Sequence, residues 1–183
     1  MPEFERFGFL IEDPDELAGR MGGRILGEEH GSTQAIHNPQ YKLFTLFQYM
    51  IGNTDWALKN RHNVKLVEPE EGTPKLPIPV PYDFDFCGLV DAPYAVPHHS
   101  IPVENVKERY FQWRGNSGED FSGEVDLFLA KKGELMAVVE TCEFLDYRSR
   151  GKCLSYLRSF FEVLESEGAN DKTKFVGHGP EIE

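Results

Sequence analysis

The residues of this chain best suited to chemistry fall in two short runs: Gly52-Asn53-Thr54-Asp55-Trp56, with Asn60 and His62-Asn63 just behind, and Tyr82-Asp83-Phe84-Asp85-Phe86-Cys87-Gly88. A carboxylate on a loop after an apolar helix, an Asn opening a strand and a further Asp on the next strand make a set of hard oxygen donors. Magnesium and manganese prefer that ligand type. A magnesium site takes one or two carboxylates and completes its shell with water and phosphate oxygens, so Asp55 is left to accept a proton or orient a hydroxyl. Alternation along a strand would put Asp83 and Asp85 on one face. That also fits the Asp-x-Asp pair with which some sugar transferases hold manganese and a nucleotide diphosphate. Asn, Asp and Gly also close turns and cap helices, so turn chemistry stands beside each of these readings.

Around these runs the periodicity predicts the elements that must position them. Leu43, Phe44, Phe47, Met50 and Ile51 recur at helical spacing, which predicts a buried helix over 41–51 delivering the chain into Gly52. Val64-Lys65-Leu66-Val67 reads as a short strand, and residues 68–81, with prolines at 69, 74, 77, 79 and 81, as a tight reversal or an extended connector. Upstream, Phe4–Ile11 reads as a strand, Asp13 as a helix cap with Pro14 at the first position, and Gly22-Gly23 as the stop of that helix near Met21. The glycines of Gly22-Gly23-Arg24-Ile25-Leu26-Gly27 lack the Lys-Ser/Thr that a phosphate loop needs, so they read as a turn. Residues 28–39 read as a loop. Downstream, helices are predicted over 103–113 and over most of 125–139, with a turn over 115–123 between them. The last helix, 147–165, carries a stripe of Leu154, Leu157, Phe161 and Leu164 widened by Phe160. These elements predict an α+β, helix-rich domain with a small β-sheet over 1–168 and a polar tail over 169–183.

Composition narrows the function classes. The 183 residues hold 19 Lys+Arg against 31 Asp+Glu, a formal charge of -12 that would repel a phosphate backbone, which argues against nucleic acid as partner. No apolar run approaches the ~18–20 residues of a membrane span, and the acidic, aromatic start differs from a secretory leader. The expectation from this sequence is a cytoplasmic protein. Cys87, Cys142 and Cys153 are odd in number and lack a C-x-x-C pair, so they read as small buried thiols. Trp56 and Trp113 read as core or rim aromatics, His98-His99 as a surface loop, and Arg148, Arg150, Lys152 and Arg158 as a solvated helix face. Asn53 and His62 are supporting residues of the acidic site, His62 by hydrogen bonding.

The order helix, Gly52-Asn53-Thr54-Asp55, Asn, strand, turn, Pro81-Tyr82-Asp83 resembles the catalytic core of atypical protein-kinase-like folds, especially the HipA-like and CotH-like kinases. In those a Gly-Asn-x-Asp loop carries the catalytic aspartate, a downstream Asn binds metal, and a Tyr-Asp element replaces Asp-Phe-Gly. The resemblance implies that Asp55 is the catalytic aspartate and Asp83 a metal ligand, with Asp85 as runner-up or support. It implies a metal-binding Asn at Asn60, which has the usual five-residue offset, or at Asn63, which directly precedes the strand and is preferred. The cofactors so implied are Mg2+ or Mn2+ with ATP, and the partners a nucleotide and an unknown acceptor. More widely, stretches between Phe9 and Val90 resemble a family of bacterial proteins of uncharacterised activity. Kinase-like enzymes also need an N-terminal lobe with a strand lysine on the phosphates, and the only lysine of the first half-hundred residues, Lys42, lies on the helix itself. The chain thus resembles a carboxyl-side lobe whose partner lobe comes from a longer protein or another chain. The competing expectation is a non-catalytic pseudokinase-like or structural, partner-binding module.

Overall fold

A computed structural model describes residues 10–27, 36, 38–71 and 76–165. Helix α1 (Pro14–Arg20) starts as its sequence dictates, with the Asp13 carboxylate accepting from the Asp15 amide at 2.9 Å and Pro14 in the first turn. It leads into β1 (Gly23–Ile25). Helix α2 (Asn38–Ile51) follows, one turn longer at its start than the apolar spacing predicted, because Asn38 and Pro39 are themselves helical. The chain then forms β2 (Val64–Pro69) and β3 (Ile78–Pro81), and finishes with α3 (Ser122–Ala130), α4 (Lys132–Glu140) and α5 (Tyr147–Glu165). The fold is mixed α+β, five helices and a three-stranded antiparallel sheet in the order β1-β2-β3 among the described residues.

The proline-rich segment forms a sheet edge. In the β2–β3 register Leu66 faces Pro79 and Val64 faces Pro81, so both prolines share one parity. The ladder donors then fall to the alternate residues, a series continued by the Tyr82 amide, which donates to the Asn63 carbonyl at 3.1 Å. Proline at the remaining positions leaves the outer edge without donors, a device against edge-to-edge pairing.

Helix α2 is the centre of the molecule, packed on β3, α3 and α5. Its Leu46 is fully buried, as are Phe160 and Phe161 of α5 and Val64 of β2. Tyr41 stacks on Trp113 with centroids 4.6 Å apart, and Phe44 meets the edge of Trp56 at 4.8 Å, so both tryptophans belong to the core. On α5 the stripe Leu157, Phe160, Phe161 and Leu164 is buried and Leu154 half-buried.

Several expectations are corrected. The helix over 103–113 does not form. The Asn105 side chain accepts from the Lys107 amide at 3.0 Å and the Glu108 carboxylate from the Asn105 side chain at 2.6 Å, and such local bonds hold the backbone in turns instead. Residues 110–114 then run irregularly along α2, with Phe111 against Tyr49 at 5.7 Å. The segment 125–139 is two helices, with Lys131 ending α3 and starting α4. Leu10 and Ile11 are exposed coil, while 4–9 and the tail from 166 lie outside the described residues. Of the thiols only Cys87 is buried; Cys142 and Cys153 are half-exposed. Arg150 is not part of a solvated face, since it donates to the carbonyls of Cys142 and Leu145 at 2.8 and 3.0 Å and so closes the α4–α5 turn. Among the described residues no helix is long and apolar enough to cross a membrane.

Candidate functional site

The site begins where α2 stops. Gly52 takes φ +66°, its amide donates to Tyr49 O at 3.1 Å, and the Asn53 amide donates to Gln48 O at 2.8 Å, the paired bonds of a Schellman ending. A side chain at Gly52 would also strike the Tyr156 hydroxyl, 2.0 Å from the Cβ position, so both conformation and space require glycine. The Asn53 side chain is buried and works in two directions. Its amide donates to Gln48 Oε1 at 3.1 Å and its oxygen accepts from the Asp55 amide at 2.9 Å, which fixes the first turn after the helix.

Asp55 therefore leaves the helix end at a set angle. Beyond it, Ala57 and His62 exchange both backbone hydrogen bonds at 3.0 Å, which folds 58–61 into a turn and returns His62 and Asn63 to Asp55. His62 Nε2 lies 2.8 Å from Asp55 Oδ1, and Asn63 Nδ2 donates to both Asp55 Oδ2 and Asp55 O at 2.9 Å. Asn63 has φ +52°, a left-handed conformation that Asn tolerates better than most residues. Asn60 sits on the exposed turn, and no hydrogen bond joins it to the other described site residues. The structure thus brings Asn53, Asp55, His62 and Asn63 into one bonded group and leaves Asn60 outside it.

The second run arrives through the hydrogen bond that the Tyr82 amide donates to the Asn63 carbonyl. Strand β3 ends at Pro81, so Asp83 and Asp85 lie in the following turn and not on a strand, and Asp83 takes φ +58°. The Asp83 carboxyl is held above the usual carboxylate range by partial desolvation, by the charge and side-chain hydrogen bond of Asp85, and by the charge of Asp55. Asp85 also accepts from the Tyr94 hydroxyl at 3.1 Å. The Lys65 ammonium sits 5.1 Å over the Tyr82 ring, which brings a cation beside the Asp83 turn. Phe47 and Phe84, 5.8 Å apart edge to face, anchor this turn to α2.

Among the described residues no cluster of three or more His, Cys, Asp or Glu side chains is arranged to enclose a metal ion. The smaller set of oxygens at hand is the neighbouring carboxylates of Asp83 and Asp85, while the Asn63 side-chain nitrogen is committed to Asp55. A magnesium shell built on two carboxylates and completed by water or phosphate oxygens needs no more protein than that.

Sequence reasoning missed four participants. Gln112 Nε2 donates to Thr54 O at 3.0 Å across 58 residues and pins the loop from behind. Gln48 carried a signal, a lone amide within the apolar face of α2, while Tyr94 and Gln112 carried none because only the tertiary fold brings them near. Lys65 carried a signal too, as a strand lysine two residues after Asn63. No protein-family model, curated protein or solved structure matches this chain.

Proposed function

We propose that residues 52–88 form a divalent-cation-dependent phosphoryl-transfer site of the atypical kinase-like kind, with the chain as its carboxyl-side lobe. The observation that carries this reading is the juxtaposition of Asp83 with Asp85, near Asp55, in the turn after β3, where partial desolvation and then the charges of Asp85 and Asp55 raise the proton affinity of Asp83. A divalent cation would neutralise the adjoining carboxylates and relieve their repulsion. Mg2+ or Mn2+ would be held by Asp83 and Asp85, with Asn63 Oδ1 as the neutral donor, and supplies charge neutralisation of the phosphate oxygens when bound.

Asp55 orients the acceptor hydroxyl. Its carboxylate is held at both oxygens by His62 and Asn63, so it meets an acceptor in one orientation and with little reorganisation. In the transfer, a bond forms between the acceptor oxygen and the terminal phosphorus of ATP, the bridging P–O bond breaks, and the hydroxyl proton passes to Asp55. The nucleotide cannot rely on Lys42, whose ammonium is spent on Glu119 at 3.2 Å and on Asp120 O at 2.7 Å. Lys65 is the cation that the sheet offers in its place.

A second reading is favoured by that same bonding. The internal contacts of Asp55 and Asn63 would serve equally well in a rigid turn of a non-catalytic, partner-binding module. Calorimetric titration of magnesium–ATP into the full chain and into Asp83→Asn separates the two. Metal-dependent binding lost in the variant supports the transferase reading. No binding by folded wild-type protein refutes it and leaves the module.

A further inference from the structure

On the far side of Gly88 lies a cleft of about 460 Å³, walled by one face of α5 and by the segments around Gly88–Asp91 and Lys107. Its size is that of a small-molecule pocket, and its lining is mixed, with Leu89, Val90 and Cys153 beside the polar side chains. Ser149, Lys152, Ser155, Tyr156 and Ser159 fall on one face of α5 by helical spacing, separate from the apolar stripe that faces the core. Lys152 and Ser155 are exposed, and neither has a hydrogen-bond or ion-pair partner among the described residues.

Beneath the lining lies Arg109. Its side chain is half-buried, and its guanidinium stacks 3.8 Å over the Tyr156 ring and donates to Met50 O, Tyr156 O and Ser159 Oγ at 3.1, 2.6 and 2.9 Å. No carboxylate pairs with it among the described residues. Lys107 stands at the rim and is bonded to Asp91 at 2.9 Å, the one acidic group of the lining. Lys107 and Lys152 with Arg109 beneath them, against Asp91 and the Asp146 that Ser149 bonds, leave the cleft surroundings net positive by one in a chain of net charge -12. A positive, hydroxyl-lined concavity on an acidic protein selects anions by contrast with the rest of the surface.

We propose that this cleft binds a small soluble phosphate ester, its phosphoryl group held by Lys152, Ser155 and the Lys107 rim over the Arg109 floor. The site is distinct from the carboxylates of residues 55–85, and its binding needs no metal. Gly88 is the shared wall, for its amide donates to Gly52 O at 3.1 Å and its Cα faces the Tyr156 hydroxyl. The inference therefore stands or falls apart from the phosphoryl-transfer reading.

Pyrophosphate is the probe, titrated calorimetrically in EDTA into the full chain, Lys152→Gln, Ser155→Asp and Asp83→Asn. Wild type and Asp83→Asn are expected to bind equally, and Lys152→Gln at least ~5-fold more weakly, as loss of one exposed charge-assisted contact implies. Ser155→Asp, which sets a carboxylate in the cleft, is expected to abolish binding. Absence of wild-type binding, or equal binding by Lys152→Gln, overturns the proposal. Vesicles of anionic phosphoinositide lipid form a separate arm: binding to these without binding to pyrophosphate would assign a membrane headgroup and overturn the soluble-ester assignment.

Discussion

Replacing Asn63 separates two contributions that the structure superimposes at one residue. Its side chain makes one hydrogen bond to a carboxylate and one to a carbonyl of Asp55, and its backbone is left-handed at φ +52°. Asn63→Gly removes the bonds and keeps the conformation easy. A charge-assisted bond is worth ~1.5–3 kcal/mol and a neutral one ~0.5–1.5 kcal/mol, and because Asp55 retains access to water the expected loss lies at the lower end, ~2 kcal/mol. Asn63→Ala removes the same bonds and adds the left-handed penalty, a further ~1 kcal/mol or somewhat more. At ~2–4 °C per kcal/mol for a domain of this size, glycine should lower Tm by ~4–8 °C and alanine by ~6–12 °C. Urea denaturation with an unchanged m-value checks both numbers. Alanine no worse than glycine would refute the left-handed geometry. If both variants stay within ~0.5 kcal/mol of wild type, the account of how Asp55 is held is refuted.

Other outcomes follow from the same structure. Gly52→Ala should cost ~2–4 kcal/mol, from positive φ and from collision with the Tyr156 hydroxyl, and adding Tyr156→Phe should recover part of it. Gly88→Ala should gain less from Tyr156→Phe, since its Cβ would also lie 2.5 Å from Val106 O; equal recovery in thermal melts would contradict the packing. Arg109→Ala should cost ~2–4 kcal/mol and Arg109→Lys should recover little, because three acceptors in a fork need a planar guanidinium; full recovery by lysine in urea melts would oppose this. Asp83, with its carboxyl raised in the folded state, binds more protons folded than unfolded between its two pKa values, so its share of stability falls as pH rises through that window. Asp83→Asn should therefore raise Tm at neutral pH, raise it less at high salt, and leave it nearly unchanged near pH 3, where wild type is protonated too. A variant that destabilises equally at both pH values in calorimetric scans would count against the carboxylate cluster.

How much of this was legible depended on the range of the interaction. Helix α5 was read at its observed bounds because its apolar stripe and its ends are local features. The cap of α1 by Asp13 and the stop of α2 at Gly52 were legible for the same reason. β1 and β3 were not, since three or four residues carry too little periodicity, and the prolines of β3 argue against a strand until its outer edge is known to be unpaired. The helix expected over 103–113 failed because Asn105 and Glu108 capture the backbone locally while Arg109 is drawn toward α2 and α5. Within the site, residues 53–55 and 62–63 could be grouped from sequence because a short hairpin joins them. The links through Gln112 and Tyr94, and the cleft along α5, depend on chain crossings that no short-range pattern records. Placing Asp83 and Asp85 on a strand was the one error of chemistry, for a turn sets their carboxylates against each other.

The central claim is that Asp83 and Asp85 hold a divalent cation, and electron paramagnetic resonance of Mn2+ tests it without requiring an acceptor. Titrated into the full chain, the six-line signal of the free ion should diminish with saturation at one equivalent, return on addition of excess magnesium, and remain undiminished in Asp83→Asn/Asp85→Asn. Lys152→Gln should behave as wild type. A wild-type protein that is folded by circular dichroism and leaves the free Mn2+ signal intact, or a double variant that still depletes it, would contradict the account.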